Sequence, residues 1–245
     1  MSTEQAFYAL VAAQRADGGL PSLYDMSDTG RTALPAEAGT EALPGKHPDV
    51  AHTAVMAAGR SFADIQGHPN QPAIEALAAR SIISGKTESL FDPSGAITRA
   101  EFAAIVVRAL GLPEKIGAPF ADVSTGDWFE PYVSTAYAYG LINGVSDTSF
   151  NPRGTITRQE AAVMVARAAA LCGMDPELSA AQAQSILAQF DDYRTAASWA
   201  SQALAFCYDA GILDPSAMEI EPQAAIQRCE VAEMLYRLLN AARLM

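Results

Sequence analysis

Along residues 97–112 the side chains Phe102, Ile105, Val106, Ala109 and Leu110 recur at the three- and four-residue intervals of a helix with one buried face. The interval returns at Ala161, Met164, Val165 and Ala168, and again at Val231, Met234, Leu235, Leu238 and Leu239. Each run is preceded by a starting signal. Thr98 with Glu101, and Thr157 with Glu160, have the spacing of a capping box, in which hydroxyl and carboxylate each satisfy a backbone N–H left without a partner. Gln227 holds that place in the third run, so its helix start is expected to be less well fixed. Gly111 and Gly173 fall where C-terminal caps belong.

These helices close three copies of one longer pattern. The copies open at Phe62-Ala63-Asp64-Ile65, Phe120-Ala121-Asp122-Val123 and Phe190-Asp191-Asp192-Tyr193. Each runs through a first helical segment to a turn: Ile82-Ile83-Ser84-Gly85, Leu141-Ile142-Asn143-Gly144 and Ile212-Leu213-Asp214-Pro215. A link with an apolar residue and proline follows, Phe91-Asp92-Pro93, Phe150-Asn151-Pro152 and Ile220-Glu221-Pro222, and leads into Ile97-Thr98-Arg99, Ile156-Thr157-Arg158 and Ile226-Gln227-Arg228. The copies span 62–112, 120–171 and 190–243. A pair of short amphipathic helices cannot bury its apolar stripe alone. The expected fold is therefore all-α, with three helix-loop-helix units packed around a bundle of the closing helices.

Composition narrows the function. The chain of 245 residues carries 28 acidic and 16 basic side chains, a net charge of −12, and only 18% of its residues are charged. Nucleic-acid recognition rests on clustered Lys and Arg, so that class is excluded as a broad surface. Half of the residues are hydrophobic, enough for a real core, but no run reaches the roughly 20 apolar residues of a membrane span. Cys172, Cys207 and Cys229 are too few and too odd for a disulfide framework, and Cys207 falls in the apolar slot of Leu77 and Ala136. His47, His52 and His68 lack zinc-site spacing, so no metal or cofactor is expected. No nucleophile has a recognisable base and no phosphate-binding Gly loop occurs, which argues against an enzyme.

The repeated polar residues carry the remaining chemistry. Arg99, Arg158 and Arg228 occupy one slot at the helix start, where the dipole disfavours a cation. Either they meet an anionic ligand together with the free N–H groups there, or they form internal ion pairs, for instance with Asp64, Asp122 or Asp192 of a neighbouring copy. Arg108, Arg167 and Arg237 recur later on the same helices, where a cation suits the dipole. Trp128 and Trp199 hold corresponding places in copies two and three, as a carbohydrate platform or a plug between copies; copy one has Pro69.

The three copies resemble S-layer homology domains, whose pattern opens Phe-x-Asp-Val, continues with Trp, passes through Gly-Ile-Ile-x-Gly and ends Ile-Thr-Arg-Ala-Glu-Phe. Ile97 to Phe102 repeat the ending without change. The resemblance implies a three-pronged spindle, an internal pseudo-trimer around a central bundle; the oligomeric state stays open, with a monomer favoured. It implies non-covalent anchoring at a bacterial cell surface by binding an acidic, often pyruvylated, cell-wall polysaccharide between the repeats. Carried over residue by residue, the glycan-binding set is Arg99, Arg158, Arg228, Trp128, Trp199, Gly85 and Gly144. Asp64, Asp122, Asp192, Thr98, Thr157, Glu101 and Glu160 organise it. The missing tryptophan of copy one, with Asp214-Pro215 and Gln227 in copy three, favours the grooves built from Arg99 and Arg158 with Trp128. Structural or self-association service without glycan binding is the competing reading.

Thr3 to Ala13 read as one helix, followed by Gly18-Gly19, and residues 1–26 resemble the end of a prenyltransferase-like α/α toroid module. On that resemblance the chain is a fragment whose signal peptide belongs to upstream sequence. Residues 27–60, with Pro35, Pro44 and Pro48, read as a linker.

Overall fold

The computed structural model describes residues 42–117, 120–214, 216 and 218–245. Among them are seven α-helices and no strand: α1 Gln71–Ala79, α2 Arg99–Ala109, α3 Glu130–Ala138, α4 Arg158–Leu171, α5 Ala180–Leu187, α6 Ser198–Asp209 and α7 Arg228–Ala241. Short 3-10 turns lie at Ala63–Ile65 and Tyr193–Thr195. The closing helices α2, α4 and α7 pack pairwise into a central bundle. Each outer helix rests on the closing helix of the preceding copy in a cyclic order: α3 on α2, α6 on α4, and α1 on α7. The three-pronged spindle therefore interlocks its units. No unit could keep its prong if separated from the other two.

The axis of the spindle is built by the links. Isolated antiparallel bridges join Thr98 to Thr155, Thr157 to Ala225 and Ala96 to Gln227, closing a ring of three. Ile97, Ile156 and Ile226 are buried, with Ile156 N–H donating to Ile97 O and Ile226 N–H to Ile156 O at 3.1 Å each. The first two N–H groups of each closing helix, which no helical carbonyl can reach, donate to the neighbouring link: Arg99 to Gly154 O, Ala100 to Pro152 O, Arg158 to Ala224 O, Gln159 to Pro222 O, Arg228 to Gly95 O and Cys229 to Pro93 O. Both threonine capping boxes form as expected. At the third start Gln227 and Glu230 occupy the same capping-box places, with Gln227 N–H donating to Glu230 Oε2 at 2.8 Å.

Two segments differ from the sequence reading. Residues 42–60, within the expected linker, are tied to the ends of three helices: His47 N–H donates to Leu171 O, Ala51 N–H to Leu110 O, and Met56 and Ala57 N–H to Ala79 O. Gly111 and Gly173, with φ of 58° and 88°, cap α2 and α4 as expected, and they also admit this strap. A Cβ at Gly173 would lie 2.7 Å from Pro44 O, and one at Gly111 2.9 Å from Ala51 O. The second difference is α5, in the stretch between copies two and three. Its capping box, Ser179 with Gln182, was present in the sequence as a Ser-x-x-Gln signal. All three cysteines are buried free thiols, and burial pushes Cys172 and Cys207 up from the usual thiol value. No helix among the described residues is long and apolar enough to cross a membrane. The toroid-like reading of residues 1–26 lies outside the described residues.

Candidate functional site

Asp64, Asp122 and Asp192 perform one local task three times. Each carboxylate accepts two consecutive backbone N–H groups of its own link: Phe91 and Asp92 at 2.8 and 2.7 Å, Phe150 and Asn151 at 2.8 Å each, Ile220 and Glu221 at 2.7 Å each. The second residue of each pair is in the left-handed region, with φ of 63° at Asp92, 57° at Asn151 and 49° at Glu221. The carboxylate thus holds a backbone bend that side-chain-bearing residues resist. Desolvation pushes the Asp64 and Asp122 carboxyls up, but the N–H donors together outweigh it and leave both below the ordinary carboxylate value.

A depressed folded value means that this stabilisation is fully present above about pH 4 and is lost as pH falls through the folded value. The Asp122→Asn variant is expected to be less stable at neutral pH and to lose less on acidification. Denaturation midpoints across pH 2–6 check this, and a pH dependence identical to that of the parent would refute the role.

The arginines at the helix starts reach across to the next copy. Arg99 Nε donates to Phe150 O at 2.9 Å, Nη1 to Glu160 Oε1 at 2.7 Å and Nη2 to Asn143 O at 3.3 Å. Arg158 Nη1 donates to Ile220 O at 2.7 Å and Glu221 Oε2 at 3.1 Å, and Nη2 to Glu230 Oε1. Arg228 Nε donates to Phe91 O at 2.9 Å and Nη2 to Ser84 O at 2.6 Å. Copy one thus holds copy two, two holds three, and three holds one. Arg99 and Arg228 are only 6% exposed, and they lie over the rings of Phe150 and Phe91 at 4.9 and 4.6 Å.

The expected ion-pair partners Asp64, Asp122 and Asp192 are corrected by this geometry, because those carboxylates already serve backbone N–H groups. The partners are link and turn carbonyls, capping-box glutamates and, for Arg158, Glu221. Each such glutamate has two duties: Oε2 caps its own helix, while Oε1 receives a cation, Lys86 for Glu101, Arg99 for Glu160 and Arg158 for Glu230. The free helix-start N–H groups expected to help bind an anion are also taken, by the links.

Outside this inner layer lie three equivalent grooves, each assembled from all three copies. Groove A, about 220 Å³, combines Arg228, the turn Ser84-Gly85-Lys86, Glu101 and Arg108 of α2, and Trp128. Groove B, about 530 Å³, combines Arg99, the turn Asn143-Gly144-Val145, Glu160 and Arg167 of α4, and Trp199. Groove C, about 300 Å³, combines Arg158, Leu213-Asp214, Glu230, Glu233 and Arg237 of α7, and Asn70. Trp128 and Trp199 are 56% and 59% exposed, which excludes the plug reading. In groove C, Asn70, next to Pro69, is the residue that lines the wall, donating to Glu233 Oε2 at 3.2 Å. Gly85 and Gly144 are required by close approach: a Cβ would lie 2.4 Å from Thr87 O in one turn and 2.2 Å from Ser146 O in the other.

Charge separates the grooves. Groove A sets Arg228, Lys86 and Arg108 against Glu101 alone, and groove B sets Arg99 and Arg167 against Glu160. Groove C sets Arg158 and Arg237 against Asp214, Glu219, Glu221, Glu230 and Glu233. Burial lowers Arg99 and Arg228 more than the nearby carboxylates raise them, and Arg167 is lowered by burial alone. At Arg158 desolvation is outweighed by Glu230 and Glu221. All four guanidinium groups remain charged.

The sequence expectation that joined Arg99 and Arg158 with Trp128 is corrected accordingly: Trp128 shares its groove with Arg228, Arg99 shares one with Trp199, and Arg158 stands in the acidic groove without tryptophan. The second arginine set lines the grooves, and Arg108 also lies in the last turn of α2, where a cation suits the dipole as expected. Arg108 lies over the Tyr132 ring at 4.5 Å, and Arg237 Nε pairs with Glu233 at 2.6 Å. Arg167 Nη1 reaches Leu141 O at 3.4 Å and has no ion pair among the described residues. Their recurrence in one helical register was the available signal. Lys86, which has no counterpart in the other copies, gave none.

A sequence model of the S-layer homology domain matches residues 61–103 and 119–162. The chain is 31% identical over 183 residues to the exoglucanase XynX of Acetivibrio thermocellus, aligning 74% of this chain with 16% of that protein. It is 30% identical to an amylopullulanase of Thermoanaerobacterium thermosulfurigenes, over 74% of this chain and 10% of the relative. It is 29% identical to an S-layer protein of Bacillus thuringiensis subsp. finitimus, over 74% of this chain and 21% of the relative. The matches span between about a tenth and a fifth of the length of these curated relatives.

Proposed function

The chain carries S-layer homology domains at residues 61–103 and 119–162, modules of cell-wall anchoring, and from that premise we propose that it holds an acidic secondary cell-wall polysaccharide in grooves A and B. The supporting observation is the same combination in both: an exposed tryptophan, a turn glycine that keeps the floor low, and more cations than carboxylates. A sugar ring lies on the indole while its acidic substituent, a pyruvate ketal or another carboxylate, meets the guanidinium groups. Groove C, with five carboxylates, repels such a ligand. One chain supplies all three units of the internal pseudo-trimer, which favours a monomer as the working form. The glycosidase names among the relatives do not transfer, because the aligned part is 16% and 10% of those two proteins. The proposed place of action is the cell surface or wall.

Co-sedimentation with purified wall polysaccharide, before and after chemical removal of its acidic substituents, tests this. Retention is expected only on the intact polymer. Equal retention on both would remove the acidic-sugar assignment, and no retention on either would remove glycan binding.

One observation favours a purely structural or self-associating module: the near-complete burial of Arg99 and Arg228 and the hydrogen bonds they make between copies. Those contacts explain the inner layer without explaining two exposed indoles beside Arg108 and Arg167, which make no ion pair among the described residues. A chain that self-associates in equilibrium sedimentation while ignoring the polysaccharide would decide for it.

A further inference from the structure

A second cavity of about 220 Å³ shares Trp128 and Glu101 with groove A and is otherwise lined by Asp127, Phe129, Pro152 and Arg153, with Thr98 and Ala100 behind. The indole and Glu101 belong to both cavities, so they form the partition between them. The chemistry on the two sides differs. Groove A concentrates cations, whereas the second cavity sets the single cation Arg153 against Asp127 and a Glu101 already engaged by Thr98 and Lys86. Arg153 is exposed and makes no ion pair among the described residues. Asp127 uses one oxygen to accept Ser124 N–H at 2.9 Å, which leaves the other for a hydroxyl. A planar donor, a carboxylate acceptor and an aromatic wall, with no excess of positive charge, suit a neutral sugar ring with its equatorial hydroxyls.

The arginine of this cavity is particular to copy two. The residues equivalent to Arg153, immediately after the link proline, are Ser94 in copy one and Gln223 in copy three. Neither can offer a guanidinium fork.

We propose that groove A is two-lobed and reads two consecutive sugars, the acidic one beside Arg228, Lys86 and Arg108 and its neutral neighbour between Trp128, Asp127 and Arg153. The proposal rests on the reading of groove A as an acidic-glycan site. It assigns Arg153 as the residue that senses the neighbour, and it makes groove A selective for the linkage as well as for the charge.

Calorimetric titration of the full chain carrying Trp199→Ala, which silences groove B, tests it with two probes. One is a hexose glycoside carrying a pyruvate ketal, and the other is the same unit linked to a neutral hexose. The disaccharide is expected to bind about tenfold more tightly than the monosaccharide. Adding Arg153→Ala is expected to bring it to within about twofold of the monosaccharide, whose own affinity stays unchanged. Equal affinity for both probes before Arg153→Ala, or a disaccharide advantage that survives it, overturns the second lobe. Failure of the monosaccharide to bind at all overturns groove A itself.

Discussion

Replacing Arg99 with alanine is expected to cost the fold about 2–4 kcal/mol, read as a fall in the denaturation midpoint with the slope preserved. The size follows from what is left behind. Removal of the guanidinium leaves Phe150 O and Asn143 O without donors, Glu160 Oε1 without its cation, and a gap above the Phe150 ring. The loss lies between two copies, so it loosens α2 from copy two and affects the whole spindle. Lysine is not expected to rescue it, because a single ammonium cannot reach the two carbonyls and the carboxylate in their three directions. An alanine variant within about 0.5 kcal/mol of the parent would show that the inner layer does not depend on this tie.

The largest effect on binding is expected from Trp128→Ala combined with Trp199→Ala. Interface tryptophans commonly contribute 2 kcal/mol or more, so removing the platform of both competent grooves should weaken retention on wall polysaccharide by at least about 100-fold. Stability should change little, because both indoles are more than half exposed, and Trp128 makes only edge and tilted ring contacts with Phe129 and Tyr132. Each single variant should lose less than half of the double effect on the logarithmic scale, since the remaining groove still tethers the polymer. A double variant that sediments like the parent would sink the groove assignment. One that unfolds would show that the tryptophans serve the fold. The two experiments are expected to separate the roles, with the helix-start arginine moving stability and the tryptophans at the groove mouths moving binding.

Much of the architecture was legible before any coordinates. The capping boxes at Thr98 and Thr157 and the apolar period of α2, α4 and α7 are local, because a helix start and a buried stripe are satisfied within a few residues. The helix α5 was equally local and announced by Ser179 and Gln182. The strap at 42–60 was not, because its hydrogen bonds go to Leu110, Leu171 and Ala79, far along the chain, and its composition resembles that of any polar connection rich in proline.

The candidate site divides in the same way. The sequence by itself determined that the unit is threefold, that each copy brings a helix-start arginine, and that copy one lacks a tryptophan, since these are properties of a repeat read in register. Only the tertiary structure decided which residues meet. The outer helix of each copy crosses to the closing helix of the copy before it, so every groove takes its turn from one copy, its tryptophan position from the next, and its inner arginine from the remaining one. That crossing places Trp128 with Arg228, places Trp199 with Arg99, and leaves Arg158 among carboxylates. The physical reason is that a short helix pair cannot bury its own apolar faces and must exchange them around a ring, and no spacing along the chain records the direction of that exchange.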